Sequence, residues 1–229
     1  MKTAIVLGTR PEIIKLSPLI KQLHKKNTSV IFTGQHYDYN MSMHFIHQLG
    51  LSEPNYSMKI PPTKPSLQIA EIIKKLSKIL EKEKPETVIV QGDTNTVLAA
   101  GITSLKLHIP ISHIESGLRS YDWRMPEEHN RITVDHFSDF LFAPTQINKQ
   151  NLISEKVHGK IFVTGNTVID AINQFSKISK KQSKLSMEYD DYVLLTLHRS
   201  ENVDNKQILS SIIKAILDSN QEFVFPIHP

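Results

Sequence analysis

Val88-Ile89-Val90-Gln91-Gly92-Asp93-Thr94-Asn95-Thr96, then Ile109-Pro110-Ile111-Ser112-His113-Ile114-Glu115-Ser116-Gly117-Leu118-Arg119, then Met125-Pro126-Glu127-Glu128-His129-Asn130-Arg131 together decide the fold. Twice an apolar run suited to a strand buried on both faces stops at a carboxylate, Asp93 and then Glu115, with glycine close by. In an open parallel sheet, ligands bind in the crevice beyond the carboxyl ends of the strands. Asp93 and Glu115 are therefore candidate site residues on position alone. Glu127 and Glu128 fall in the first turn of a helix opened by Pro126, where acids commonly stabilise the helix dipole, so their pattern alone reads as structural.

On the amino-terminal side, Thr3-Ala4-Ile5-Val6-Leu7 reads as a strand that Gly8-Thr9-Arg10-Pro11-Glu12 turns into a helix. Thr9 or Arg10 stands near its N-cap, and Ile13, Leu16, Ile20 and Leu23 recur at helical spacing. Free backbone N–H groups at such a junction, with Arg10 and Lys15 beside them, suit an anion, although an ordinary strand-to-helix turn has the same appearance. The full Gly-x-Gly-x-x-Gly fingerprint is lacking, so a dinucleotide cofactor is not expected. Ser29 to Thr33 is a second strand, Gly34 to Tyr39 a polar and aromatic turn, and Asn55 to Pro65 an irregular connection. Ser66 is expected to cap a long amphipathic helix with Ile69, Ile72, Ile73, Leu76 and Leu80 on one face.

Carboxyl-terminal to the deciding stretch, Asp139 to Ala143 and Lys160 to Val163 are further strands, leading into helices at Thr145 and Thr167. Strands and helices alternate, which predicts an α/β fold with a doubly wound parallel sheet. The polar run from Ser179 to Asp191 marks a boundary, giving residues 1–180 as one domain and 181–229 as the start of another. Tyr192 to Leu197, a helix containing Ile208, Ile212 and Ile216, and Phe223 to Ile227 restart the pattern. One strand-helix-strand unit cannot cover both faces of a parallel sheet, so this second domain reads as truncated.

The 229 residues are 39% apolar, enough for a sizeable core. The net charge of +4, from 27 basic and 23 acidic residues, is spread along helix faces and does not form a nucleic-acid footprint. With no cysteine there is no disulfide, thiolate metal site or Cys nucleophile. No run of 18 apolar residues and no signal peptide before the first strand lead us to expect a cytoplasmic protein without membrane association.

Seven ordered motifs resemble the non-hydrolysing UDP-N-acetylglucosamine 2-epimerase family: Gly8 to Glu12, Thr33 to His36, Gln91 to Thr94, His113 to Arg119, Met125 to Arg131, Thr164 to Asp170 and Thr196 to Asn202. The resemblance implies two Rossmann-like domains of glycosyltransferase-B type, the second incomplete here, and a homodimer. It implies no added cofactor and no metal, with a UDP-sugar as the partner. The activity it implies interconverts UDP-N-acetylglucosamine and UDP-N-acetylmannosamine, for cell-surface polysaccharide, by eliminating UDP to a 2-acetamidoglucal and adding it back.

By motif position Asp93, Glu115 and Glu127 match the family's catalytic carboxylates, and His198 its catalytic histidine. The resemblance thus reverses the structural reading of Glu127 and keeps Glu128 as a candidate. Arg10 and Lys15 match residues near the substrate phosphates and sugar, and Arg199 is a further binding candidate beside His198. The family's nucleotide-gripping Ser-Gly-Gly and paired-Glu segment lies beyond Pro229. Tyr37-Asp38-Tyr39 also occurs in relatives acting on UDP-2,3-diacetamido-2,3-dideoxyglucuronate, which is the alternative substrate. A nucleotide-sugar-binding fragment without turnover is the alternative from another class.

Overall fold

Every residue of Thr3–Leu7, strand β1, is buried, and the strand turns at Gly8 and Thr9 into helix α1 (Arg10–Gln22). The computed structural model describes residues 1–23, 25–35, 39–61, 63–182, 191–197 and 200–226. The chain divides into two compact units, Met1–Lys181 and Gln182–Pro229. In the first, it continues through β2 (Thr28–Phe32), α2 (Tyr39–Gln48), β3 (Tyr56–Ser57), α3 (Pro65–Glu83) and β4 (Thr87–Gln91). It then runs through α4 (Asn95–Lys106), β5 (Ile111–Ile114), α5 (Pro126–Phe137), β6 (Phe140–Ala143), α6 (Gln146–Ser154), β7 (Lys160–Val163) and α7 (Thr167–Gln182).

The seven strands form one parallel sheet in the order β3-β2-β1-β4-β5-β6-β7. Chain direction across the sheet therefore reverses between β1 and β4, and the loops leaving those two strands diverge to open a crevice. Alternate side chains of each strand serve opposite layers. Ala4 and Val6 of β1, with Val88 and Val90 of β4, pack in one cluster with Ile72, Leu76 and Leu80 of α3 and Val97 of α4. Ile5, Leu7 and Ile89 point the other way, into a cluster with Ile13 and Leu16 of α1 and Ile46 of α2. Both faces of the central strands are covered, which is why their sequences are continuously apolar.

Three local expectations are corrected. α3 begins at Pro65 with Lys64 as N-cap, not with Ser66 as its cap, because proline's fixed φ suits the first helical position and sets the start earlier in the chain. The Asn55–Pro65 connection contains β3, which pairs with β2 through Ile31 and Phe32. α2 begins at Tyr39, the last residue of the expected turn, and its Met43 and Ile46, with Leu49 just past its end, pack under α1. Thr94 caps α4, accepting from the Val97 N–H at 3.3 Å, and Pro126 opens α5 as expected.

In the second unit β8 (Val193–Leu194) pairs in parallel with β9 (Phe223–Val224), connected through α8 (Ser200–Val203) and α9 (Lys206–Leu217). The expected strand over Tyr192 to Leu197 is thus shortened to Val193 and Leu194, in register with Phe223 and Val224, the Leu195 N–H still donating to the Val224 carbonyl at 2.9 Å. Asn205 caps α9 through the N–H groups of Gln207 and Ile208. Among the described residues no helix is long and apolar enough to cross a membrane.

Candidate active site

The crevice at the strand-order reversal is lined by the exits of β1 and β4. Gly8 N–H and Thr9 N–H both donate to the Glu12 carboxylate, at 2.9 and 2.6 Å, and Thr94 Oγ1 donates to its other oxygen at 3.0 Å. The N–H groups of Gly8 and Thr9 are therefore taken by a residue of the first helix turn, the carboxylate half of a capping box. Gly8 is required beside it, since a Cβ there would lie 2.1 Å from Thr96 Oγ1 and 2.4 Å from Thr33 Oγ1. The start of α4 is likewise filled: the Gln35 side-chain oxygen accepts from Thr96 N–H at 2.9 Å and from its hydroxyl at 2.8 Å.

Glu12 is buried, and burial pushes its carboxyl up from 4.5 to about 7 against the pull of its three donors. Between those two values the unfolded chain releases the proton while the folded chain keeps it, so stability falls as pH rises through the window and is level above it. The full loss is about 3 kcal/mol. Glu12→Gln mimics the protonated acid and should remove this slope; urea denaturation of both proteins at pH 5 and pH 8 measures it. Parallel slopes in the two proteins would refute the assignment.

One helical turn on from Glu12, Lys15 extends from the same face of α1 to Glu115. Its Nζ lies 2.9 and 2.7 Å from the two carboxylate oxygens, joining residues 100 positions apart. Glu115 also accepts from Gln91 Nε2 and, at 3.5 Å, from Asn166 Nδ2. Its backbone lies in the left-handed region, φ 69°, which a side chain with a Cβ occupies at a cost of order 1–3 kcal/mol. That turn aims the carboxylate back over the end of β4. Gly117, at φ 80°, completes it where a Cβ would meet the Asn148 carbonyl oxygen at 2.3 Å.

Asp93 stands at the neighbouring exit. Its carboxylate pairs with Arg131 Nη2, and its carbonyl accepts from Asn130 Nδ2 at 2.9 Å. The parallel register that sets Gln91 opposite Ile114 brings the Asp93 and Glu115 exits side by side, each acid facing a cation. Glu127 and Glu128 part company here. Glu128 is fully buried, accepts from the N–H groups of Ser120 and Tyr121 and from Arg131 Nη1 at 3.0 Å, and so ties down the loop before α5. Although burial opposes ionisation, these donors and the Arg131 charge together hold its carboxyl below the usual range. Glu127 is exposed, and among the described residues it has no hydrogen-bond or ion-pair partner.

Beneath both acids lies a buried charge network that strand and helix patterning does not reveal. His113 on β5 is wholly buried, with Nδ1 2.8 Å from Asp135 Oδ1 and Nε2 2.8 Å from the Gly92 carbonyl oxygen. Asp135 Oδ2 accepts from Arg119 Nη1 at 2.8 Å and from Gly117 N–H at 3.1 Å, and Arg119 makes a two-pronged pair with Glu155. Desolvation opposes charge on His113, but the Asp135 carboxylate outweighs it and the imidazole is raised above its ordinary value. The one signal in the chain is a histidine inside a short buried strand, a place that demands a buried partner.

The other candidates are scattered. The Arg10 guanidinium lies over the Phe45 ring, 5.8 Å from its centroid. His198 and Arg199 lie outside the described residues. Buried polar atoms without a partner include Thr9 Oγ1, Gln91 Oε1, Ser116 Oγ, Arg131 Nε and Thr167 Oγ1. Four of them sit at or just beyond the ends of β1, β4, β5 and β7, and the fifth is on the arginine that holds Asp93. Such a row of unsatisfied groups along one edge is what a polar ligand completes.

A family model described as UDP-N-acetylglucosamine 2-epimerase matches residues 20–229. The UDP-N-acetylglucosamine 2-epimerase of Methanocaldococcus jannaschii is 47% identical over 242 residues, covering 100% of this chain and 66% of that protein. The UDP-2,3-diacetamido-2,3-dideoxy-D-glucuronate 2-epimerase of Pseudomonas aeruginosa is 38% identical, covering 100% of this chain and 67% of that protein. A crystal structure of the M. jannaschii UDP-GlcNAc 2-epimerase in complex with UDP-GlcNAc and UDP superposes with TM-score 0.91 at 46% identity, covering 100% of this chain and 66% of that one. The α/β fold is therefore of the glycosyltransferase-B type, and the chain spans 66% of the length of the M. jannaschii protein.

Proposed function

The chain belongs to the UDP-N-acetylglucosamine 2-epimerase family, and on that premise we propose that the whole protein interconverts UDP-N-acetylglucosamine and UDP-N-acetylmannosamine. The observation that carries the reading is the pair of strand-end carboxylates, Asp93 and Glu115, on adjacent parallel strands, each held against a cation. The C2 proton of the sugar is a poor acid, so the reaction runs by elimination. A carboxylate takes the C2 proton, the C–H electron pair becomes the C1–C2 double bond, and the C1–O bond breaks to release UDP. Return of UDP to C1 with a proton delivered to the opposite face of C2 gives the epimer.

Acid and base groups on two sides of the ring are needed, with cations that stabilise the departing diphosphate. Asp93 and Glu115 supply the first requirement in this reading. Glu127 joins them as an exposed carboxylate free to meet substrate, and His198 completes the set. Lys15 is poised to share its charge between Glu115 and the sugar, and Arg10 stands at the same helix start to face the diphosphate. Glu128 acts by shaping the loop next to Glu127. The greater identity of the UDP-N-acetylglucosamine enzymes, 47% against 38%, favours that substrate over the diacetamido glucuronate. A cytoplasmic homodimer without an added cofactor accompanies the reading.

The test is incubation with UDP-N-acetylglucosamine in D2O. Deuterium should appear at C2 of both sugars; folded protein that binds the substrate and leaves C2 unlabelled would rule out epimerisation and support a nucleotide-sugar binder.

A further inference from the structure

We propose that His113 and Asp135 are positioning residues that brace the loops carrying Asp93 and Glu115 in one geometry, an inference that rests on those two acids being the reacting carboxylates. Asp135 acts in two directions. Through His113 it reaches the Gly92 carbonyl, one residue before Asp93, and through its second oxygen it takes the Gly117 N–H, two residues after Glu115. One side chain from α5 therefore links the exits of β4 and β5, alongside the Gln91–Glu115 side-chain contact. From the far side of Asp93, Asn130 and Arg131 of the same helix hold its carbonyl and carboxylate. The loop is thus held at the Gly92 carbonyl by His113 of β5, and at the Asp93 carbonyl and carboxylate by α5.

The chemistry of the brace follows from what its ring nitrogens meet. A carboxylate oxygen and a carbonyl oxygen are both acceptors, so both nitrogens of His113 must carry hydrogen and the ring is an imidazolium. The charged groups around it are Asp135, Asp93 and Arg119, with Glu155 balancing the guanidinium. A neutral imidazole could satisfy only one of the two loops, whereas the imidazolium satisfies both. His113 touches neither substrate nor the reacting atoms; it acts through Gly92. Reacting groups displaced by about 1 Å lose on the order of 10²-fold in rate, so the brace is worth a measurable share of turnover.

Two substitutions separate positioning from stability. His113→Gln keeps an amide donor at the reach of Nε2, toward Gly92, and leaves Asp135 short of its donor. His113→Asn keeps a donor at the place of Nδ1, toward Asp135, and strands the Gly92 carbonyl. The expected result is an inversion: His113→Gln is the less stable protein, yet His113→Asn loses more kcat, roughly 100-fold against roughly 10-fold, with KM for UDP-N-acetylglucosamine within about threefold in both. Losses of kcat that follow the stability order, or full turnover in His113→Asn, would overturn the brace.

Nitrogen-15 NMR of the unsubstituted protein, with His113 assigned through the backbone, covers the case in which neither variant folds. Two protonated ring nitrogens at pH 7.5 are expected, and a single one overturns the proposal. Asp93→Asn in the same assay keeps the two readings apart. If it is inactive while His113→Asn is not, the brace alone fails. If it turns over normally, the reading of Asp93 fails and the brace with it.

Discussion

Asp93→Asn and Glu115→Gln should each lower kcat of the whole protein by roughly 10²- to 10⁴-fold, the range by which a positioned acid or base contributes to proton transfer. Both substitutions keep the shape of the side chain and remove its basicity. Asp93 loses the charge that faces Arg131, and Glu115 the charge held by Lys15. Neither ion pair is deeply enough buried on both sides for its loss alone to unfold the sheet: the Asp93 side chain is 29% exposed and that of Lys15 is 26% exposed. Turnover and C2 deuterium exchange, measured on variants whose far-ultraviolet circular dichroism matches the parent, check this. Exchange near the parental rate in either variant removes that residue from the proton transfers.

The largest effect on stability is expected at Asp135. Asp135→Asn leaves the His113 imidazolium and the Arg119 guanidinium facing a neutral amide in a wholly buried place, and removing one partner of such a group costs about 3–5 kcal/mol. Its pH signature has two arms. His113 and Arg119 hold the Asp135 carboxyl below its ordinary value, so that stability is present above the usual carboxylate range and is lost as pH falls through the depressed value. The raised His113 contributes below its ordinary value and is lost as pH rises through the higher one. The variant should therefore lose most between the ordinary carboxyl value of 3.8 and the ordinary imidazole value of 6.5, in mildly acid solution. Urea unfolding at about pH 5.5, followed by the fluorescence of Trp123, measures the loss; a difference under about 1 kcal/mol would mean that the network contributes little net.

Much of the first unit can be read from the chain because its central strands obey a simple rule. A strand covered on both faces must be apolar throughout, so Thr3–Leu7 and Val88–Val90 announce themselves, and a polar residue at their ends marks the sheet's edge. The helix starts at Thr94 and Pro126 are legible for an equally local reason, cap chemistry within three residues. β3 and α2 are not, since a two-residue strand exists only by pairing with β2, and α2 is held by packing beneath α1. The run at Tyr192 shows the opposite failure. It is apolar enough for six residues of strand, but partnership in a sheet, not composition, decides how many are used.

Sequence by itself determined the alternation of strands and helices, the two carboxylates at the ends of β4 and β5, and, through its ordered motifs, the family. Only the tertiary structure decided what those acids touch. Lys15 meets Glu115 across 100 positions, and Asp135 holds the Gly117 N–H directly and the Gly92 carbonyl through His113. Glu12 fills a helix start that sequence alone leaves open, and burial separates Glu128, a loop anchor, from its exposed neighbour Glu127. The physical reason is the range of the forces involved. Burial periodicity and capping act within a turn or two, whereas the partner of a charge depends on strand register and helix placement that exist only once the whole sheet has assembled.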